Sequence, residues 1–101
     1  MSVLSVLITK EENRNRNMIA EYTRELETLP KGSVKAKTIN GNVYYYLVFR
    51  NGNKIVSKYI GKDEESIAII REQILRRKQV EEIIKRLMEE KKQIEKLEAE
   101  L

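Results

Sequence analysis

The 101-residue chain contains no cysteine, no histidine and no tryptophan, and only one proline, four glycines and one phenylalanine. Without cysteine there is neither a disulfide framework nor a thiolate metal site. Without histidine the commonest general base at neutral pH and the commonest metal ligand are both missing. The Glu, Lys, Ser and Tyr that remain form no nucleophile elbow, no phosphate-cradling glycine loop and no carboxylate pair in a recognisable setting. Catalysis is therefore not expected, and neither a cofactor nor a metal is required. Long apolar runs are missing too: the stretch from Val3 to Ile8, interrupted by Ser5, is too short to span a membrane and has no basic lead-in or small-residue cleavage site. No secretion signal or membrane association is expected, and the cytoplasm is the expected compartment.

Acidic residues are absent from the middle of the chain. From Lys31 to Lys62 there are seven basic residues and no Asp or Glu, whereas the flanks on either side are slightly acidic, so the net charge of +4 hides a central segment of +7. Lysines on strands also discourage edge-to-edge aggregation. Segregation of one sign over a third of a glutamate-rich protein is better suited to an anionic partner.

What is present describes a helix-rich folded protein: 41% hydrophobic and 36% charged residues, in a length that allows one domain with a modest core. Thr9 followed by Glu12 spells a capping box, and Met18, Ile19, Tyr22, Leu26 and Leu29 recur at helical spacing, which predicts a helix within 9–29. Pro30 and Lys31-Gly32-Ser33 stop it. Two Asn-Gly dipeptides, Asn40-Gly41 and Asn51-Gly52, each sit between β-branched or aromatic runs and predict two hairpins in succession, a meander over 33–61.

With two-residue loops, Thr38 faces Val43, Ala36 faces Tyr45, Val34 faces Leu47, Leu47 faces Val56 and Val43 faces Ile60, which makes one apolar face. The opposite face then carries Lys37, Tyr44 and Tyr59 in one row and Lys35, Tyr46 and Ser57 in the next, with Val48 and Ile55 near the second turn. A three-residue second loop would instead turn Lys58 outward in place of Tyr59.

Asp63 with Glu64 and Glu65 opens a helix over 63–100 that has no further glycine or proline. Ile67, Ile70 and Ile74 form a stripe suited to the sheet's apolar face. From Val80 a short heptad follows, with Val80, Leu87, Ile94 and Leu101 at one seam position and Ile83, Glu90 and Leu97 at the other. Pairing with a separate helix, in a homodimer or on another protein, is expected, because the first helix has apolar residues for only part of the seam. Folding back on that first helix is the alternative. The expected architecture is α+β, in the order α-β-β-β-α, with a coiled-coil-like end.

Lys31-Gly32-Ser33, then Gly41-Asn42-Val43-Tyr44-Tyr45-Tyr46-Leu47, then Lys58-Tyr59-Ile60-Gly61-Lys62 resemble a group of small uncharacterised prokaryotic and phage proteins with this hairpin and a charged helical tail. The same stretch is similar to the amino-terminal hairpin of some insertion-sequence transposases and, more loosely, to the three-stranded arm-binding domain of phage integrases. The integrase likeness implies that Lys35, Lys37, Tyr44, Tyr46 and Tyr59 touch DNA. No recombinase or transposase catalytic domain accompanies them here.

The residues and the resemblance together point to a nucleic-acid-binding module, DNA or RNA, associated with a phage or mobile element. Its candidate contacts are Lys35, Lys37, Tyr44, Tyr46, Arg50, Lys54, Lys58, Tyr59 and Lys62, extended along the helix by Arg76, Arg77 and Lys78. The rival expectation is a phage-encoded inhibitor or adaptor of the anti-CRISPR type, which docks on a nucleic-acid-processing protein through the long helix and sheet.

Overall fold

The computed structural model describes residues 2–101. The elements follow in the order α1 (Val3–Glu27), β1 (Ser33–Ile39), β2 (Asn42–Asn51), β3 (Lys54–Gly61) and α2 (Glu64–Glu100), the expected α-β-β-β-α arrangement of an α+β protein. Packing is divided between two compact units: the amino-terminal residues through Thr28 with Gln79–Leu101, and Leu29–Lys78.

In the first unit α1 begins earlier than its capping-box spelling suggested. Ser2 is the N-cap, its hydroxyl accepting the Ser5 amide at 3.1 Å. Thr9 lies inside the helix and donates its hydroxyl to the Ser5 carbonyl at 3.0 Å, so it serves as a back-bonding residue rather than a cap. The earlier start brings Ile8 into the helix and makes α1 long enough to run antiparallel along the end of α2. Asn15 meets Leu87, Arg14 meets Glu90, and Leu7 and Ile8 border a shallow depression with Ile94 and Leu97.

This corrects the expectation of a separate partner helix. The seam residues Val80, Leu87 and Ile94 are already buried, Ile83 is half-buried, and only Leu97 and Leu101, at the end of α2, are exposed. The seam glutamate is explained as well, since Glu90 accepts a hydrogen bond from Arg14 at 2.8 Å. That pair is partly solvated and contributes at most about 1 kcal/mol. The buried polar residue of the interface is Asn15, which is 2% exposed and donates its Nδ2 to the Leu87 carbonyl at 2.8 Å.

The second unit is the meander with the first half of α2. Strand order is β1-β2-β3, both pairs antiparallel. Asn40 and Gly41 have φ of 51° and 81°, the type I′ turn expected of Asn-Gly, and the β1–β2 register is the expected one: Thr38 opposite Val43, Ala36 opposite Tyr45, Val34 opposite Leu47.

The second hairpin turns one residue later than expected. Asn51 pairs with Lys54, and the two-residue loop is Gly52-Asn53, with Gly52 at φ 64° and Asn53 outside the left-handed region, as in a type II′ turn. Leu47 therefore faces Lys58, not Val56, and Phe49 takes Val56. The physical preference is visible in the pairs: the expected register would set Tyr45 against Lys58 and Phe49 against Lys54, whereas the observed one makes an aromatic–β-branched pair of Phe49 with Val56 and an aromatic pair of Tyr46 with Tyr59. Val43 does not face Ile60 either. Between Tyr46–Tyr59 and Tyr45–Gly61, β3 carries Ile60 as one extra residue, a bulge at the end of the ladder.

α2 is capped by Asp63, whose carboxylate accepts the Ser66 hydroxyl at 2.9 Å and the Glu65 amide at 3.3 Å. These bonds hold its pKa below the ordinary value. The isoleucine stripe then packs on the sheet as expected: Ile67 is 3% exposed, Ile70 and Ile74 are half-buried, and small clefts join Ile67 and Ala68 to Tyr45 and Ile74 to Val34.

Candidate nucleic-acid interface

Because side chains alternate along a strand, covering Val34 and Tyr45 with α2 leaves Lys35, Lys37, Tyr44 and Tyr46 on the opposite face. Register places Lys35 beside Tyr46 and Lys37 beside Tyr44. The shifted second hairpin changes one member of each row. Tyr59 stands across from Tyr46, so the complete row is Lys35, Tyr46, Tyr59, and Ser57 moves to the next row opposite Val48. The shift is by two residues, so no side chain changes face. Tyr59 stays outward, and the alternative in which Lys58 replaces it is excluded.

The three outward tyrosines form one cluster. Tyr59 lies 5.5 Å from Tyr46 and 6.2 Å from Tyr44, ring centre to ring centre, with planes inclined at 59° and 56°. Such tilted pairs set a ring's positive edge toward its neighbour's negative face. Two ammonium groups close over the cluster: Lys37 Nζ is 4.9 Å from the centre of Tyr46, and Lys62 Nζ is 5.1 Å from that of Tyr44. Each such contact in a solvated setting is worth about 0.5–1 kcal/mol. Tyr44 and Tyr46 are half-buried, while Tyr59, Lys35, Lys37 and Lys62 are exposed. Arg50 stands on the same face near the second turn, opposite Ile55.

The other candidate contacts lie elsewhere. Lys58 faces Leu47 and Lys54 faces Asn51, which puts both on the side of the sheet that α2 packs against, so the outer surface does not include them. Arg77 is half-buried and donates to the Leu29 carbonyl at 2.7 Å, tying α2 to the segment that precedes β1. Arg76 is half-buried too, and Lys78 borders the cleft near Ser33 and Val34. The basic cluster on α2 is thus not a continuation of the tyrosine–lysine surface. Sequence reasoning missed the bulge at Ile60, although Gly61 at the strand's end, with φ 127°, is the type of residue that marks one.

Among the described residues no cluster of acidic side chains is arranged to hold a metal, and no helix is long and apolar enough to cross a membrane. Along its own strands the surface is cationic and aromatic and carries no Asp or Glu.

No curated protein and no solved structure is significantly similar to the chain. A family model does match, over residues 8–68, which takes in most of α1, the whole meander and the first turn of α2. The chain belongs to that family, described as a domain of unknown function (DUF6788).

Proposed function

We propose that this protein is a non-catalytic nucleic-acid-binding module whose contact surface is the outer face of the β-meander. The observation that carries the reading is the position of Lys37 and Lys62 over the rings of Tyr46 and Tyr44, on the face of the sheet opposite α2. Lysine ammonium groups engage phosphate oxygens as mobile point charges, and tyrosine hydroxyls donate to the same oxygens. With no Asp or Glu between Lys31 and Lys62, the strands offer a polyanion attraction without local repulsion.

The decisive variant is the double substitution Lys35→Glu, Lys37→Glu. Both side chains are exposed and neither supports the core, so the fold should persist by circular dichroism. Binding to a mixed nucleic-acid pool should be lost, and unchanged affinity would refute the surface assignment.

A further inference from the structure

The outer face can be read one step further, to the form of nucleic acid it accepts, and this step rests on the reading just given. Proteins that hold single strands present aromatic rings on which unpaired bases stack one after another. The rings here are disposed otherwise. Tyr46 and Tyr44 are each inclined by nearly 60° to Tyr59, so neither Tyr59 with Tyr46 nor Tyr59 with Tyr44 can lie parallel to successive bases. One face of Tyr46 and one face of Tyr44 are also covered, by Lys37 and Lys62 respectively. What the face offers to a ligand is mainly charge and hydroxyl groups, with Lys35, Lys37 and Lys62 beside the aromatic cluster and Arg50 further along the same face.

A surface that gains little from stacking depends on phosphate density, and a duplex carries one charge per about 1.7 Å of axis, more than a single strand can present. We infer that the outer face of the meander binds the phosphate backbone of a double-stranded nucleic acid, in preference to single strands. If all four cations engage phosphates, log affinity should fall against log salt with a slope of about −3.6 on duplex, from about −0.9 per phosphate neutralised, and about −2.8 on a single strand.

The test uses the intact chain with a duplex and a single strand of equal length and unrelated sequence, followed by anisotropy of a label on the nucleic acid and by the protein's own emission. There are five tyrosines and no tryptophan, so that emission reports tyrosine rings, three of them in this cluster. The expected result is duplex binding roughly tenfold tighter at low salt, with the duplex slope above and little change in tyrosine emission. Equal or tighter binding of the single strand, with quenched emission from stacked rings, would overturn the duplex assignment and leave the nucleic-acid reading standing. Absence of binding to either form at low salt would remove both. Lys37→Glu should weaken the duplex complex several-fold more than Tyr59→Leu, and the reverse order would also count against a backbone-binding surface.

Discussion

Asn15 is buried between the two helices of the first unit and donates its side-chain amide to the backbone carbonyl of Leu87 across the interface, at 2.8 Å. The carbonyl sits on the seam between the buried Val80 and Ile94. A slide of one helix along the other by a turn would leave the amide without this acceptor, in a position where an unpaired polar group is costly. Asn15 therefore specifies register more than it adds stability.

Substitutions at Asn15 should separate these contributions. Asn15→Ala should cost about 1–2 kcal/mol in urea unfolding, from the lost bond and a small void. Asn15→Leu should be near neutral, since it removes the polar group altogether. Asn15→Asp should cost about 3 kcal/mol at neutral pH, because a buried carboxylate would face a carbonyl oxygen. Burial would raise its folded pKa, so that loss should shrink as pH falls through the raised value toward about 4. A pH-independent loss would mean that the carboxylate reaches water.

Two glycines should respond differently to alanine. Gly32 has φ 114°, and a Cβ there would stand 2.3 Å from the Val48 carbonyl oxygen and 2.9 Å from the Phe49 Cβ. Gly32→Ala must push the start of β1 away from β2, at a cost of about 3 kcal/mol. Gly41, with φ 81° in the first turn, has open space around it, so Gly41→Ala should cost only about 1 kcal/mol of backbone strain. Thermal unfolding of the two variants checks the order.

Charge reversal on β3 reports which face of the sheet Lys58 occupies in solution. Lys58 faces Leu47 on the side of the sheet that α2 packs against, while Lys37 lies over Tyr46 on the outer face. Lys58→Glu should reduce affinity for a duplex several-fold less than Lys37→Glu does. Equal losses would place Lys58 outward and contradict the Gly52-Asn53 turn.

Two carboxyl groups should give opposite pH signatures. Asp63 is held below its ordinary pKa, first by the Ser66 hydroxyl and then by the Glu65 amide, so its contribution is present at neutral pH and disappears as pH falls through the lowered value. Glu98 is pushed up, chiefly by sharing a hydrogen bond with Glu12, so the folded state gains stability as pH falls from above the raised value toward about 4. Relative to Glu98→Gln, the wild-type protein should thus become more stable on mild acidification. Relative to Asp63→Asn, it should lose ground only at the acid end. Urea midpoints measured across that range test both signs, and a Glu98 signature of the Asp63 type would show that the carboxyl pair does not form.

Much of this was legible from residue order. Asn40-Gly41 specified both its turn and the β1–β2 register, since only that loop puts two left-handed residues together and keeps Val34, Ala36 and Tyr45 on one side. Asn51-Gly52-Asn53 was ambiguous because it contains both Asn-Gly and Gly-Asn, two acceptable turn spellings. The choice was made across the ladder, where pairing Phe49 with Val56 and Tyr46 with Tyr59 outweighs the preferred dipeptide. The partner of the α2 seam was hidden for a different reason. A helix whose inward positions include Asn15 shows only part of an apolar stripe, and polarity is a poor guide to burial when a carbonyl on the facing helix supplies the missing bond.

By itself, the chain's residue order determined the elements, the outward position of Tyr44 and Tyr46 and the concentration of positive charge around them, because period, turn chemistry and charge are local properties of adjacent residues. Tertiary structure alone decided that Tyr59 stands beside Tyr46, that Lys54 and Lys58 leave the surface, and that α1 is the cover of the α2 seam. Those outcomes depend on which distant side chains pack best against one another, a comparison that no short window of the sequence contains.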